Sequence, residues 1–482
     1  MMSSQPNATS NLMVPANFIQ AVRESGYLSL STALAELLDN SLQAGATQVA
    51  ISVSTDPATG LPQVLVEDNG AGMSREELED CLRFGGSARF NERSSFGRFG
   101  MGLPAASLSQ ARSVEVATWQ AHGPVLQVAL DVDAIAAGSP ATLVARPAGP
   151  SSTVSGCRVT WRSCDRIDYR RLGWLERALR RDLGRMYRRY LSSGWSLTLN
   201  GGAVAPEDPL MLDRTIEGAT ASVVFDQQVY EMSLRTGGTA QVKVRFALLP
   251  VQRWHNFDNV SKRRLGIVGG GGVSVLRAGR EIAHGWYLMG SKRKENYDDW
   301  WRCEIEFEPV LDEHFGITIN KQGIRPSPEL RDAIAPELES IARILNARVR
   351  QAFEDVKFQS AAAASCLVAE AADPDLPVLP GAGGAGHSLR YRIGTAQLPA
   401  ESMLSTNLHD GVLEVHLNVD HPAFKAIYQP LQALPEETGL GLRTAIELLV
   451  LALGRSAVLE PEHARDFIHQ LGETYGRMLQ KA

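Results

Sequence analysis

The sequence of 482 residues contains no uninterrupted apolar run near the roughly 20 residues that a membrane-spanning helix needs. Its first residues lack the basic and apolar stretches of a secretory leader, so we expect no membrane association. Its 5 cysteines form no Cys-x-x-Cys pair, which argues against a disulfide framework or structural zinc site and favours the reducing cytoplasm. With 48 basic and 54 acidic residues, the net charge is -6, so any nucleic-acid surface must be local.

Motifs of several common enzyme classes are also missing from the sequence. No Gly-Lys dipeptide occurs, which excludes the phosphate loop of P-loop NTPases, and the absence of His-Glu-x-x-His excludes that class of zinc hydrolase. We find no nuclease motif, and we interpret His284 and His314 as structural. The 44% hydrophobic and 21% charged content is typical of a globular chain. The length predicts about two to four domains.

The pattern of apolar residues divides the chain into five regions. Residues 1–28 form an N-terminal extension, and residues 29–200 alternate helix and strand patterns. Residues 201–358 mix strands with loops and end in a helix predicted over 329–358. The Ala-, Gly- and Pro-rich residues 359–389 indicate a linker. In residues 390–482, weak strand signals precede two predicted helices, over 441–453 and 461–479.

The elements predicted within residues 29–200 follow from apolar periodicity and capping residues. They are a helix over 29–43, strands over 49–53 and 63–67, a short helix from Ser74, a helix from Pro104, strands over 114–119, 126–132 and 158–161, and an amphipathic helix over 172–190.

The first motif with chemical potential is Glu36-Leu37-Leu38-Asp39-Asn40, inside the first predicted helix. Glu36 and Asn40 are four residues apart, so they share one face of the helix, one turn from each other. A carboxylate there can polarise an attacking water, and the amide oxygen can hold a magnesium ion that bridges phosphates. Taken alone, the same spacing is also typical of a solvated helix face.

The second motif is Glu67-Asp68-Asn69-Gly70-Ala71-Gly72-Met73, at the end of an apolar strand. An aspartate at this point can accept a hydrogen bond from an exocyclic amine, and two glycines let the backbone approach a flat ring closely. An ordinary Asp-Asn-Gly turn is the alternative interpretation.

The third motif is Phe96-Gly97-Arg98-Phe99-Gly100-Met101-Gly102, which leads into a predicted helix. Glycines before a helix N terminus expose amide N–H groups and the positive end of the helix dipole to an anion. This loop does not follow a strand, so the usual dinucleotide-binding fold is a poor match.

The order and spacing of the three motifs, all within about 70 residues, resemble the GHKL family of ATPases. This family comprises gyrase-type topoisomerases, ninety-kilodalton heat-shock chaperones, sensor histidine kinases and MutL mismatch-repair proteins. The resemblance covers roughly residues 15–200. It implies an α/β class fold, the Bergerat-fold ATPase sandwich, in which ATP lies between the sheet and a mobile lid.

The resemblance also implies a role for each matching residue. Glu36 is expected to be the general base, Asn40 the magnesium ligand and Asp68 the acceptor of the adenine amine. The remaining nucleotide contacts are expected from residues that border the base or form the lid, namely Gly70, Gly72, Met73, Ser87, Arg89, Gly97, Arg98, Phe99, Gly100, Met101, Gly102 and Cys157. ATP and Mg²⁺ are the implied cofactors.

The sequence departs from the GHKL pattern at Cys157 and matches a subset of the family at Lys321. Relatives often have Gly-Thr where this chain has Gly156-Cys157, and a thiol is a weaker hydrogen-bonding group than a hydroxyl. Lys321 resembles in position and context the lysine with which a second, "transducer" domain of gyrase-type, MutL and MORC relatives touches the terminal phosphate. An exposed loop lysine is the alternative. The implied layout is a GHKL ATPase domain at 29–200, a transducer domain (ribosomal S5-like α+β) at 201–358, and a small C-terminal α+β domain at 390–482.

An arginine-rich stretch is the candidate nucleic-acid surface. Residues 158–189 hold 11 arginines against four carboxylates, Asp165, Asp168, Glu176 and Asp182. Together with basic residues at 262–264 and 292–294, they could contact a DNA or RNA backbone. A solvated helix face is the alternative.

The resulting hypothesis is an ATP-gated, dimerising switch or clamp that acts on nucleic acid in repair, chromosome handling or defence against foreign DNA. The N-terminal extension would then be a dimer strap, and the C-terminal domain a dimerisation or partner-binding module. Two alternatives stay open: an ATP-binding signalling protein that hydrolyses little and controls a separate effector protein, and a chaperone-like ATPase.

Overall fold

The computed structural model describes residues 14–481 with several gaps. The gaps are residues 28, 58, 87–100, 122, 140–141, 152, 168–170, 236, 318–322, 380–388 and 434–435. The chain divides into two compact units, Met1–Pro250 with Phe257–Leu345, and Val251–Asn256 with Asn346–Ala482. Within the described residues, no helix is both long and apolar enough to cross a lipid bilayer.

The helices are numbered along the chain. They are α1 (Pro15–Ser25), α2 (Leu30–Gln43), α3 (Arg75–Asp80), α4 (Gly102–Gln110), α5 (Val132–Ala136), α6 (Leu172–Met186), α7 (Arg188–Ser192), α8 (Val251–Trp254), α9 (Asn259–Arg264), α10 (Asp312–Phe315), α11 (Pro328–Ala372), α12 (Gln429–Ala433), α13 (Glu436–Leu459) and α14 (Pro461–Leu479).

The strands are numbered in the same way. They are β1 (Gln48–Thr55), β2 (Pro62–Asp68), β3 (Ser113–Trp119), β4 (Leu126–Asp131), β5 (Arg146–Pro147), β6 (Gly156–Arg162), β7 (Ser196–Leu199), β8 (Gly202–Ala203), β9 (Ser222–Val223), β10 (Gln228–Ser233), β11 (Thr239–Leu248), β12 (Val273–Arg277), β13 (Arg280–Gly285), β14 (Trp301–Phe307), β15 (Arg390–Ala396), β16 (Leu404–His409) and β17 (Val412–Asn418).

The first sheet carries the three sequence motifs. Its described strands lie in the order β5-β4-β3-β6-β2-β1-β7-β8, and only the pair β1 and β7 is parallel. Buried and exposed residues alternate along β1, which directs Val49, Ile51 and Val53 to one face. These side chains share a core with Leu34 and Leu38 of α2 and with residues of α4 and α6. The mixed α/β architecture expected from the sequence is confirmed.

A second sheet follows in the same compact unit, in the order β10-β11-β14-β12-β13 with β9 beside β11. Strands β12 and β14 are parallel, and the other neighbours are antiparallel. The first turns of α11 bury Leu330, Ile334 and Leu338 in the core of this sheet. Their spacing of four residues places them on one helix face.

The C-terminal unit has its own core and sheet. Its described strands lie in the order β15-β17-β16, with β15 and β17 parallel. Side chains of α13 and α14, including Leu451 and Ile468, pack in this core with Phe358 and Ala362 of α11.

The structure corrects the predicted start of the linker at residue 359. Helix α11 continues without interruption from Pro328 to Ala372, and Ala362 and Ala369 are buried. Alanine is the strongest helix former, so a run of alanines that resembles a linker by composition becomes helix once one face has a core to pack against.

The first helix and the arginine-rich helix also differ from the sequence expectation. Ile19 and Tyr27 belong to the core of the first sheet, so part of the predicted extension is built into this domain. The helix predicted over 172–190 is broken at Tyr187, which has φ -109 and ψ 15 between α6 and α7. Local periodicity continues through this point, and the break reflects tertiary contacts of Tyr187 described below.

Candidate functional site

The first motif lies on α2, a helix buried along most of its length. The helix begins after Ser29, whose hydroxyl oxygen accepts a hydrogen bond from the N–H of Thr32 at 3.2 Å. Glu36 is only 4% exposed, whereas Asn40, one turn further, is half-buried. The Glu36 carboxylate is therefore shielded from water, whereas the Asn40 amide is accessible to a ligand.

Asp68 stands at the end of β2 and accepts hydrogen bonds from residues of α2 and of its own motif. The hydroxyl of Ser41 donates to Oδ2 at 2.8 Å, and the N–H of Gly70 donates to Oδ1 at 2.9 Å. Burial raises the pKa of Asp68, and the hydrogen bonds from Gly70 and Ser41 oppose this shift. Because Ser41 belongs to α2, the first two motifs meet in one site. Sequence reasoning missed Ser41, although it directly follows Asn40.

The glycines of the second motif are required by close backbone approach. A Cβ atom on Gly72, whose φ is +71, would lie 2.2 Å from the carbonyl oxygen of Trp119. A Cβ atom on Gly70 would lie 2.9 Å from Cβ of Ala44. Real Cβ atoms do not approach other atoms so closely, so larger residues would displace the loop that follows Asp68.

The next two strands complete this end of the site. Cys157 on β6 pairs in register with Asp68, and burial raises the pKa of its thiol well above the usual range. Cys157 is therefore a neutral thiol beside a carboxylate. On β3, the Thr118 hydroxyl accepts from the N–H of Met73 at 2.8 Å and donates to the carbonyl of Gly156 at 3.0 Å. Sequence reasoning missed Thr118, since no motif surrounds it.

The end of the third motif reaches the first motif. Helix α4 begins at Gly102 and follows Met101, and a Cβ atom on Gly102 would lie 2.6 Å from Oε2 of Glu36. The N terminus of α4 thus adjoins the buried carboxylate. The other predicted lid and phosphate residues lie outside the described residues, namely Ser87, Arg89, Gly97, Arg98, Phe99, Gly100 and Lys321.

The C terminus of α4 is capped by a buried arginine of α1. Arg23 donates to the carbonyls of Leu108 at 2.9 Å and Ala111 at 2.6 Å, and its other terminal nitrogen bonds both carboxylate oxygens of Asp165. The carbonyls at a helix C terminus lack partners within the helix, so a cation there is favourable. Arg23 therefore fixes the end of α4 opposite to Glu36.

Tyr27, which lies between α1 and α2, contacts the carboxylate itself. Its phenol is 5% exposed and hydrogen-bonds Glu36. Burial raises the pKa of Tyr27, and the charge of Glu36 raises it further, so the phenol stays protonated and acts as the donor. Sequence reasoning did not identify this residue.

A buried ion pair joins α2 to the second sheet. Nε of Arg280, at the start of β13, lies 3.3 Å from Oδ1 of Asp39, and both side chains are almost fully buried. The Tyr187 hydroxyl lies 2.7 Å from the same carboxylate oxygen and 2.8 Å from the carbonyl oxygen of Ala35. Asp39 stands between the two functional residues of the first motif.

Several residues of the arginine-rich stretch pair with carboxylates of the second sheet. Arg188 contacts Glu281 at 3.1 Å and Glu304 at 2.5 Å, and its guanidinium also donates to Ser274 at 2.9 Å. Arg185 pairs with Glu281 at 2.7 Å, and Arg189 pairs with Glu304 at 2.9 Å. The surrounding arginines hold the pKa of Glu304 below its usual value against the opposing effect of burial. These three arginines therefore link α6 and α7 to the second sheet.

The oxygen donors of the site suit magnesium. Mg²⁺ prefers oxygen ligands, keeps several waters and is usually held by one or two side chains together with substrate phosphates. The half-buried amide of Asn40, one turn from Glu36, is a donor of this kind. Among the described residues, no cluster of three or more His, Cys, Asp or Glu side chains forms a metal site by itself.

Comparisons with known proteins agree with this geometry. Residues 28–157 match a family model described as histidine kinase-, DNA gyrase B-, and HSP90-like ATPase. Protein MICRORCHIDIA 6 of Arabidopsis thaliana is 33% identical over 117 residues, which are 24% of this chain and 17% of the relative. Protein MICRORCHIDIA 4 of the same organism is 34% identical over 87 residues, 17% of this chain and 11% of the relative. Protein MICRORCHIDIA 5 is 39% identical over 80 residues, 16% of this chain and 11% of the relative.

The chain thus matches less than a fifth of the length of these curated relatives. The family model covers the part that carries the motifs of Glu36 and Asp68 and the beginning of α4. The predicted resemblance is confirmed, and the chain contains a GHKL-type ATPase domain similar to that of the microrchidia (MORC) proteins.

Proposed function

We propose that this chain is a Mg²⁺-dependent ATPase that works as an ATP-gated, dimerising switch or clamp. The observation that carries the proposal is the convergence of three separate motifs at one site. Ser41 of α2 holds Asp68 of β2, and Gly102 of α4 contacts Glu36 of α2. Residues far apart in sequence are thereby brought together on α2, β2 and α4, with a carboxylate in each of the first two motifs.

The adenine end of this site is built around Asp68. Its carboxylate accepts hydrogen bonds from Ser41 and Gly70, and a carboxylate has further lone pairs with which to accept from the adenine amine. Gly70, Gly72 and Met73 border the base on the loop that close packing has fixed, and Cys157 lies on the neighbouring strand. A carboxylate acceptor selects adenine over guanine, which presents a carbonyl at the corresponding position.

The phosphate end is built around Glu36 and Asn40. Glu36, oriented by Tyr27, would act as the base that takes a proton from the attacking water, and the amide oxygen of Asn40 would hold Mg²⁺. Bound Mg²⁺ neutralises charge that develops on the phosphoryl oxygens. The N terminus of α4, beginning at Met101 and Gly102, provides amide N–H groups for the phosphates. Lys321 remains our candidate for the contact to the terminal phosphate.

Nucleic acid is our first choice for the molecule on which the clamp acts. Arg171 and Arg177 are exposed on the arginine-rich stretch. Arg263 and Arg264 are exposed on α9, and Lys294 is exposed between β13 and β14. Such cations would bind a phosphate backbone without reading its sequence.

One observation favours a second function, a signalling protein that controls a separate effector. Arg185, Arg188 and Arg189 form ion pairs with Glu281 and Glu304, so they contribute less to an external charged surface than their number indicates. An ATP-dependent dimer that ignores DNA and RNA would support this alternative.

The C-terminal unit supports dimerisation through a second copy of the chain. Apolar side chains recur on the outer faces of its last two helices, with Leu442 53%, Leu449 61%, Phe467 59% and Met478 65% exposed. Leu442 and Leu449 are seven residues apart, the spacing of a helix that pairs with another helix. Leu449→Glu should halve the mass measured by light scattering, whereas Leu376→Glu, at a 42% exposed site on the same unit, should not.

The same mass measurement separates this idea from the rest of the proposal. A Leu449→Glu protein that keeps the mass of the wild type would show that these helices do not form the dimer.

All five cysteines, each among the described residues, are free thiols, which fits our placement of the protein in the cytoplasm.

Steady-state ATP hydrolysis with Mg²⁺ tests the proposed function. Wild type should turn over, Glu36→Ala should not, and duplex DNA should raise the wild-type rate if the clamp acts on nucleic acid. A suitable control is Glu176→Ala, which removes a partly exposed carboxylate of α6 whose ion pair is with Arg180 and not with a described residue of the three motifs. Turnover that is the same in wild type and Glu36→Ala would refute the role of Glu36 as base.

A further inference from the structure

The second sheet reaches the ATPase motif through a tight hairpin. Strands β12 and β13 pair in register at Arg277 and Arg280, with Ala278 and Gly279 as the two turn residues. Their φ values of 49 and 80 are those of the two-residue turns that suit the twist of a hairpin. The Tyr190 hydroxyl donates to the carbonyl of Ala278 at 2.7 Å, so the tip of the hairpin rests on α7.

This hairpin places Arg280 behind α2. Arg280 is 3% exposed, Asp39 and Tyr187 are 0% exposed, and the guanidinium, carboxylate and phenol form one buried group. The Arg280 guanidinium also lies 5.9 Å from the centre of the Tyr187 ring. A buried charge pair of this kind tolerates little displacement, because either ion alone in the protein interior is strongly unfavourable.

We propose that Arg280 is a positioning residue for ATP hydrolysis: through Asp39 it sets the rotation and depth of α2, and hence the positions of Glu36 and Asn40. The inference rests on the proposed function. Asp39 precedes Asn40 directly and follows Glu36 by three residues, so a displacement of the helix at Asp39 moves both. Since Arg280 belongs to the second sheet, the placement of that sheet relative to α2 regulates the phosphate end of the site.

The adenine end should depend on Arg280 less than the phosphate end does. Asp68, Gly70 and Gly72 lie on β2 and its loop. The pairing of β2 with β6 and the close approach of Gly72 to Trp119 fix this end in addition to the hydrogen bond from Ser41 of α2. The inference therefore predicts a split between two binding measurements. ADP binding without Mg²⁺ depends on the adenine end, whereas the tightening caused by Mg²⁺ depends on Asn40.

The test compares Arg280→Met with Arg277→Met. Arg277 is the hairpin partner of Arg280 and is also buried, but it pairs at 2.7 Å with Asp312, which lies on α10 and not on α2. For Arg280→Met we expect kcat to fall about tenfold or more, as misplacement of catalytic groups usually costs. We also expect loss of most of the Mg²⁺-dependent tightening of ADP, with a smaller change in the Mg²⁺-free ADP affinity. Arg280→Lys should recover part of both, and Arg277→Met should change neither by more than about twofold.

A double variant guards against simple unfolding. In Arg280→Met with Asp39→Asn no buried charge is left without its partner, so the melting temperature should recover while kcat stays low. An Arg280→Met or double variant with kcat and Mg²⁺-dependent ADP binding equal to those of Arg277→Met would overturn the inference. If wild type itself binds no nucleotide, the proposed function fails and the inference fails with it. If wild type binds Mg²⁺-ADP without turnover, the binding measurements alone decide the role of Arg280.

Discussion

Gly102 and Glu36 are in direct contact: a Cβ atom on the first residue of α4 would lie 2.6 Å from Oε2 of the buried carboxylate on α2. The two residues belong to different motifs, one on the helix that follows the glycine loop and one on α2. Their contact means that the glycine makes room for the carboxylate, in addition to any flexibility that it gives to the loop. The N terminus of α4 can approach Glu36 only because no side chain stands between them.

Gly102→Ala should therefore impair hydrolysis more than stability. The added methyl group must displace the Glu36 carboxylate, and we expect kcat to fall about tenfold or more. ADP affinity without Mg²⁺ should stay within about twofold, since Asp68 is untouched. Gly173→Ala is the matched control, because Gly173 lies in α6 with nothing within 4 Å of the added Cβ atom. That substitution should stabilise the protein by about 0.5–1 kcal/mol and leave kcat unchanged. Equal kcat values for the two variants would show that the space Gly102 leaves for Glu36 is not needed for hydrolysis.

Ser41→Ala should weaken nucleotide binding at the adenine end. It removes a 2.8 Å hydrogen bond to a buried carboxylate, a loss that costs about 1–3 kcal/mol. Calorimetry with ADP should show affinity reduced about tenfold with adenine still preferred over guanine. Ser54→Ala removes an exposed hydroxyl that accepts from Gln63 and should have no effect. Unchanged ADP affinity in Ser41→Ala would show that the hydrogen bond to Asp68 does not contribute to nucleotide recognition.

Arg23→Met should destabilise the ATPase domain. The variant loses both carbonyl contacts at the end of α4 and leaves Asp165 without a buried partner, which should lower the free energy of unfolding by about 2–4 kcal/mol. Arg112 contacts the same carboxylate from a 39% exposed position. Arg112→Ala should cost less than about 1 kcal/mol. Urea unfolding of both variants measures the difference, and equal losses would show that the cap on α4 contributes nothing.

His284 should make stability depend on pH between about 4 and 6.5. Burial lowers the pKa of His284 to about 4, and the nearby Arg185 lowers it further. The folded state therefore favours the neutral ring, so its stabilising effect is present above the unfolded pKa and is lost as pH falls through this range. The loss should amount to at most about 3 kcal/mol.

Unfolding of His284→Gln, followed as a function of pH, checks this expectation. The variant should lack the part of the slope that His284 causes, whereas His409→Gln, at an exposed site, should keep it. An identical slope in wild type and His284→Gln would show that the ring takes up its proton at the same pH in the folded and the unfolded protein.

The local parts of the site could be predicted from the sequence, and the contacts between them could not. The helix with Glu36 and Asn40 follows from apolar periodicity, and the glycines after Asp68 follow from the turn chemistry of the motif. The hydrogen bond from Ser41 to Asp68 requires the packing of a helix on a strand, which no local pattern specifies. The break between α6 and α7 could not be predicted either. The apolar periodicity of the sequence continues through Tyr187, whose buried contacts with α2 appear only in the folded structure.

The arginine-rich stretch shows why charge counted along a sequence overstates charge at a surface. Arg188 appears among many positive residues, but its partners Glu281 and Glu304 arrive from a sheet formed much later in the chain. Arg280 likewise has no motif around it, and only the hairpin that places it next to Asp39 reveals its connection to the site.

The most direct test of the account measures ATP binding and single-turnover hydrolysis on the same samples of wild type, Glu36→Gln and Asp68→Asn. We predict that Glu36→Gln binds Mg²⁺-ATP about as tightly as wild type but does not hydrolyse it, and that Asp68→Asn does not bind it measurably. Hydrolysis by Glu36→Gln at the wild-type rate, or tight ATP binding by Asp68→Asn, would contradict the assignment of the two carboxylates and with it the proposed ATPase site.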